Sequence, residues 1–76
     1  MLKRIVGILK DYTEVPSVKI IPESRLTEDL GFNSLDLMNI VIAFEGEFGI
    51  EIPEIDVQEL FTVGDIANYF RDKNVK

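Results

Sequence analysis

Apolar residues recur every three or four positions in three separate stretches of this chain. Nowhere do they alternate in the period of two that a half-buried strand requires. Leu2, Ile5, Val6, Leu9 and Tyr12 form one stripe and predict a first helix over residues 2–12. Leu37, Val41, Phe44 and Phe48, with Met38 and Ile42 beside them, predict a longer helix that begins near Ser34 and ends at Gly49. Val63, Ile66, Ala67 and Phe70 predict the last helix, entered through Thr62 as N-cap with Asp65 at the third helical position, close to a capping box. Pro53 opens a new segment, and residues 55–61 predict a short helix before the last one. The expected fold is all-α: a four-helix bundle of three longer helices and one short one, in a single domain over residues 1–76.

Pro16 and Pro22 block regular structure after the first helix, so residues 15–33 predict a long connection between the first and second helices. A loop of this length in so small a domain is unusual unless it has a function. Ile20, Ile21, Leu26 and Leu30 are expected to pin it to the core, and Met38, Ile42, Phe44, Ile55, Phe61 and Ile66 are expected in the interior.

That apolar core must hold the fold unaided. The chain has no Cys, hence no disulfide, no thiolate nucleophile and no zinc site of the Cys type. It has no His, hence no imidazole for a Ser-His-Asp relay or a metal. A single core in so short a chain leaves roughly 3–5 kcal/mol of stability and little room for a deep cleft, which argues against an enzyme. No EF-hand run is present, so pairs such as Glu45/Glu47 and Glu51/Glu54 would hold ions only weakly at the surface, and no dedicated metal site is expected. The N-terminus lacks a signal-peptide apolar region, and the longest apolar run, residues 40–44, is far too short for a membrane span. A cytoplasmic monomer without a transmembrane segment is expected.

Lys and Arg number 8 against 14 Asp and Glu, a net charge of −6 that argues against nucleic acid as the main partner. The charge is unevenly spread. Residues 1–25 hold five cations and three anions, and residues 66–76 three cations and one anion, so each end is +2. Residues 26–65 hold ten carboxylates and no Lys or Arg. An uninterrupted single-sign stretch either keeps the protein soluble or marks a docking surface that steers basic partners.

Ser34 stands at the predicted start of the second helix, just after Gly31-Phe32-Asn33. Ser and Asn are favoured N-cap residues, which accounts for both without any chemistry. With no His in the chain only a Lys or a carboxylate could serve Ser34 as base, and no Lys or Arg lies between Arg25 and Arg71, so a hydrolase nucleophile is not expected. A hydroxyl at a helix N-terminus is, however, a good place to carry a phosphate, since orphan N–H groups and the macrodipole favour an anion there.

Leu30-Gly31-Phe32-Asn33-Ser34-Leu35-Asp36 resembles the attachment motif of acyl carrier proteins, commonly Leu-Gly-x-Asp-Ser-Leu-Asp. The stretch from Ala43 to Pro53 resembles that family's helix-two ending and the acidic segment after it. Phe61-Thr62-Val63-Gly64-Asp65-Ile66 resembles its entry to the last helix. The similarity runs in register over nearly the whole chain. It implies that Ser34 is the attachment point for 4'-phosphopantetheine, placed from coenzyme A by a separate phosphopantetheinyl transferase. The arm would supply the thiol that a chain without Cys lacks. The resemblance further implies a carrier, not an enzyme, that presents acyl thioesters to acyl-processing enzymes of fatty-acid, polyketide or related lipid biosynthesis. Those partners would dock through basic patches on Asp36, Leu37, Asn39, Glu45, Glu47, Glu51 and Asp56. Such pairing raises on-rates without demanding tight binding.

Four positions depart from the family pattern. Asn33 replaces the usual Asp beside the serine, Leu37 and Asn39 stand where fatty-acid carriers have Thr and Glu, and Gly46 interrupts an acidic run. The docking helix is therefore more apolar than usual, which points to a specialised carrier with its own partners. In this family the core can also open to shelter an acyl chain. Two other readings stay open at this level: an aminoacyl or peptidyl carrier, and an unmodified acidic interaction module with the same fold.

Overall fold

The computed structural model describes residues 1–75. Its elements are α1 (Leu2–Leu9), α2 (Ser34–Phe48), α3 (Glu54–Val57) and α4 (Val63–Asp72), with 3-10 turns at Lys10–Tyr12 and Ser17–Lys19. There is no strand among the described residues, only an isolated antiparallel bridge between Arg25 and Thr62. The all-helical bundle with a long first loop is therefore observed. The stripe read as one helix over residues 2–12 is α1 followed directly by the first 3-10 turn.

Local chemistry sets the ends of the two capped helices. At α2 the Asp36 N–H donates to Asn33 Oδ1 at 2.8 Å and the Asn33 N–H donates to Asp36 Oδ2 at 3.2 Å, a complete capping box. Gly49 ends the helix at φ 68°, a left-handed conformation that costs glycine little, and its N–H donates to the Glu45 carbonyl at 2.9 Å. At α4 the Asp65 N–H donates to Thr62 Oγ1 at 3.1 Å and Asp65 Oδ2 accepts from the Thr62 N–H at 3.1 Å.

The core is drawn from every part of the chain. Ile5 and Leu9 of α1, Ile40 and Phe44 of α2, and Val63, Ile66 and Phe70 of α4 are buried, with Ile52 closing the α2–α3 side. Phe44, Phe48 and Phe70 form a ring cluster at that centre, the Phe44 and Phe70 centroids lying 5.3 Å apart edge to face. Arg4 of α1 sits 4.4 Å over the Phe48 ring and 3.0 Å from Glu47, tying α1 to the end of α2.

The long loop contributes Ile20, Leu26, Leu30 and Phe32 to the same core. Its backbone runs alongside the entry to α4. The Gly64 N–H donates to the Pro22 carbonyl at 2.8 Å, Val63 to Ser24 at 3.0 Å, and Leu26 to Phe61 at 2.9 Å. Ser24 is buried, and its hydroxyl oxygen accepts from the Ile21 N–H at 3.0 Å.

Three expectations need correction. Ile21 is 49% exposed and does not pin the loop. Of the six expected interior residues only Phe44 and Ile66 are buried; Met38 and Ile42 are each 62% exposed, Phe61 67% and Ile55 69%. Helix α2 is apolar around most of its girth, yet only the face carrying Ile40 and Phe44 meets the other elements. The short helix is Glu54–Val57 and not residues 55–61. Pro53, at φ −59° and ψ 146°, is its N-cap, so the helix starts at once and faces Val57, with Leu60 just beyond it, toward the core instead of Ile55 and Phe61.

Candidate functional site

Ser34 is the first residue of α2, and it is exposed. Its position is set from behind. Phe32, two residues earlier, is only 1% exposed, and its N–H donates to the Leu26 carbonyl at 3.0 Å. Gly31 makes the preceding turn at φ 76°, in the left-handed region. Asn33 and Asp36 then lock the helix start through the capping box. The Ser34 hydroxyl is engaged by no hydrogen bond among the described residues, and it opens onto a groove of about 460 Å³ between α2 and α3.

That groove is floored by Leu37, Val41, Ile52 and Val57 and edged by Met38 and Ile42; its polar lining is Glu45, Glu54 and Gln58, with no cation. Behind the floor the core holds a cavity of only about 20 Å³, room for roughly one water. An acyl chain has no space there in this conformation. Leu37, Val41, Ile52 and Val57 line both spaces and form the wall between them.

Four acidic members of the expected docking set also make a bond within the protein through one oxygen each. Asp36 is half of the capping box. Glu45 Oε2 accepts from the Ile52 N–H at 2.8 Å, holding the α2–α3 connection to α2. Glu47 pairs with Arg4. Asp56 accepts from the Tyr69 hydroxyl at 2.7 Å, fastening α3 to α4. Leu37 is half-buried in the groove floor, whereas Asn39 and Glu51 are exposed. Phe32, Arg4 and Tyr69 escape sequence reasoning, because a single loop aromatic, a helix-end cation and a pair thirteen residues apart carry no periodic signal.

Residues 3–70 match the family described as "Phosphopantetheine attachment site". The chain belongs to that family, which includes the acyl carrier proteins. It is 36% identical over 73 residues to the acyl carrier protein of Thermosynechococcus vestitus, covering 96% of this chain and 90% of that one. It is 31% identical over 75 residues to that of Helicobacter pylori, covering 99% and 96%, and 34% identical over 73 residues to that of Thermotoga maritima, covering 96% and 90%. The family's prosthetic group is a covalently attached 4'-phosphopantetheine. The site fits such a group. The hydroxyl is accessible, the N–H groups of Ser34 and Leu35 have no intrahelical acceptor, and a phosphodiester at that end meets the positive pole of a 15-residue helix.

Two expected results follow from these bonds. Asn33→Ala removes the side-chain half of the cap and should cost about 1 kcal/mol, whereas Asn33→Asp keeps the acceptor and should stay close to wild type. Thermal melts check this, and equal melting points for the two variants would mean the cap carries no weight. Burial, and then the bond to the Asp56 carboxylate, push the Tyr69 phenol up to about 12 from the ordinary 10.0. The native state therefore keeps this proton where the unfolded chain has released it. The associated stabilisation is complete below pH 10 and is lost as pH rises through about 12. Urea midpoints should show wild type above Tyr69→Phe at neutral pH, with the gap closing over that alkaline window; a constant gap would contradict the linkage.

Proposed function

We propose that Ser34 is the residue that carries the arm, and that the chain is an acyl carrier. The reading rests most heavily on one observation: the motif serine lies exposed at a capped helix N-terminus and opens directly onto a groove. In the modification step Ser34 Oγ attacks the pantetheine-side phosphorus of coenzyme A. The new O–P bond replaces the pyrophosphate P–O bond, 3',5'-ADP leaves, and the hydroxyl proton passes to the transferase, since no side chain here is a suitable base. Once attached, the arm supplies the thiol that holds acyl groups as thioesters. Around it the chain's own residues orient and expose: Phe32 and the capping box fix the serine, and α2 and α3 form the walls beside it.

The partners under this reading are a phosphopantetheinyl transferase and enzymes of fatty-acid, polyketide or related lipid biosynthesis. The protein acts as a cytoplasmic monomer, and Asn39, Glu47 and Glu51 are the exposed members of the docking set. The test is intact mass after incubation with coenzyme A and a transferase, with Ser34→Ala as control. A phosphopantetheine-sized gain in wild type and none in the variant is expected. No gain with either a broad-specificity or the native transferase would leave only the unmodified interaction module.

A further inference from the structure

The helix cap uses only one end of the Asn33 side chain. Its Oδ1 accepts from the Asp36 N–H at 2.8 Å, so Nδ2 is the end turned away from that bond. An amide nitrogen carries two donor hydrogens. Here Nδ2 has no acceptor among the described residues, and Asn33 is exposed directly before Ser34. The charged side chains of the site are all of one sign. Residues 26–65 contain no Lys or Arg, while Asp36 closes the capping box and Glu54 lines the groove onto which Ser34 opens. A phosphodiester on Ser34 adds a further negative charge, with no side-chain cation in the groove lining to balance it.

We propose that Asn33 is a phosphate-binding residue of this carrier: its side-chain amide donates to a phosphodiester oxygen of the arm, and loading therefore stabilises the fold. The proposal rests on the reading of Ser34 as the attachment point. Asn and Asp cap a helix equally well, because the cap needs only an oxygen. They differ in what the other end of the side chain offers a neighbouring anion. Asp, usual in the family pattern, presents a second carboxylate oxygen and a charge that repels the phosphate. Asn presents a donor and no charge. The orphan N–H groups at the start of α2 and the positive pole of that helix attract the same anion. With Asn33 this attraction is opposed by Asp36 and Glu54; an Asp would be a third carboxylate, adjacent to the serine in the chain. Asn33 thereby couples modification to stability, and the carrier with its arm is harder to unfold than the carrier without it.

The test compares melting points before and after loading, by calorimetry at low and high salt, for wild type and Asn33→Asp. Both are loaded by a broad-specificity transferase and checked by intact mass. Contributions of the arm beyond its phosphate are common to the two proteins and cancel in the comparison. Loading is expected to raise the melting point of wild type by about 2–6 °C at low salt, and to leave that of Asn33→Asp unchanged or lower. High salt should narrow the gap without closing it, because exposed charges are screened while the hydrogen bond remains. Proton–nitrogen NMR spectra of wild type read the contact directly. The Asn33 side-chain signals should shift on loading, and one of the two hydrogens should exchange more slowly with water; Asn68 of α4, which does not line the groove, serves as the unshifted reference. An equal rise in both proteins would overturn the proposal, as would Asn33 side-chain signals unmoved by loading. A gap that vanishes in high salt would show repulsion alone and remove the hydrogen bond. Should Asn33→Asp resist loading, the wild-type spectra decide by themselves. A wild type that gains no mass would defeat the attachment reading instead, an outcome distinct from each of these.

Discussion

Phe32→Ala is expected to leave most of the protein unfolded at 25 °C. Phe32 is among the largest fully buried side chains, at 1% exposure. Truncating a buried Phe costs about 3–5 kcal/mol, from lost transfer energy and the cavity left behind. A chain this short holds roughly that much in total. The loss falls at the functional end of the molecule, because Phe32 is the anchor that seats the turn before Ser34. Phe32→Leu retains most of the filling and should fold, with a lower urea midpoint. Rescue of Phe32→Ala toward wild-type stability would show that the loop collapses into the vacated space, and would remove Phe32 from the positioning argument. Modification of Ser34 in the Leu variant, followed by mass, should be slower than in wild type if the seat matters to the transferase.

Replacing Gly7 and Gly46 together by Ala is expected to stabilise the protein by about 2 kcal/mol. Each sits inside a helix, Gly7 in α1 and Gly46 in α2, and a Cβ at either position would meet nothing within 4 Å. Glycine in a helix interior costs about 0.8–1.0 kcal/mol relative to Ala, mainly in backbone entropy. The two sites are on different helices and should add. For a domain of this size 1 kcal/mol moves the melting point by about 4–8 °C, so a rise of roughly 8–16 °C should appear by calorimetry. No rise, or a fall, would mean that one of the glycines meets a constraint its open surroundings conceal. If Gly46 is only a gap in the acidic run and not a contact, the transferase KM should be unaffected.

The parts of the fold that depend on neighbours in the chain were legible without coordinates. Thr62-Val63-Gly64-Asp65 closes the capping box its spacing announced, and Asn33 caps α2 as its residue type allows, with Asp36 completing a second, unexpected box, because an N-cap and its third helical residue are brought together by one turn of helix. Gly49 stops α2 for an equally local reason, its left-handed φ. The candidate serine was legible by the same means, as part of a short motif at a helix start.

The assignment of apolar residues to inside and outside was not local. Helix α2 carries Met38 and Ile42 as well as Ile40 and Phe44, and no pattern within it says which pair faces the other helices. Where α1, α4 and the loop come to rest decides that, as does the turn at Pro53 that points Val57 inward and Ile55 outward. Charge behaved in the same way. Ten carboxylates in residues 26–65 read as one acidic surface. Folding then brings Arg4 to Glu47, Tyr69 to Asp56 and the Ile52 N–H to Glu45.

The sequence by itself therefore determined the existence of the three longer helices, the capped start of the last one and the serine at the start of the second, because propensity, capping and motif spacing act within a few residues. Only the tertiary structure decided which aliphatic side chains remain in water beside that serine and which carboxylates remain free. Burial and ion pairing are settled by residues far apart in the chain, and they meet only when the bundle closes.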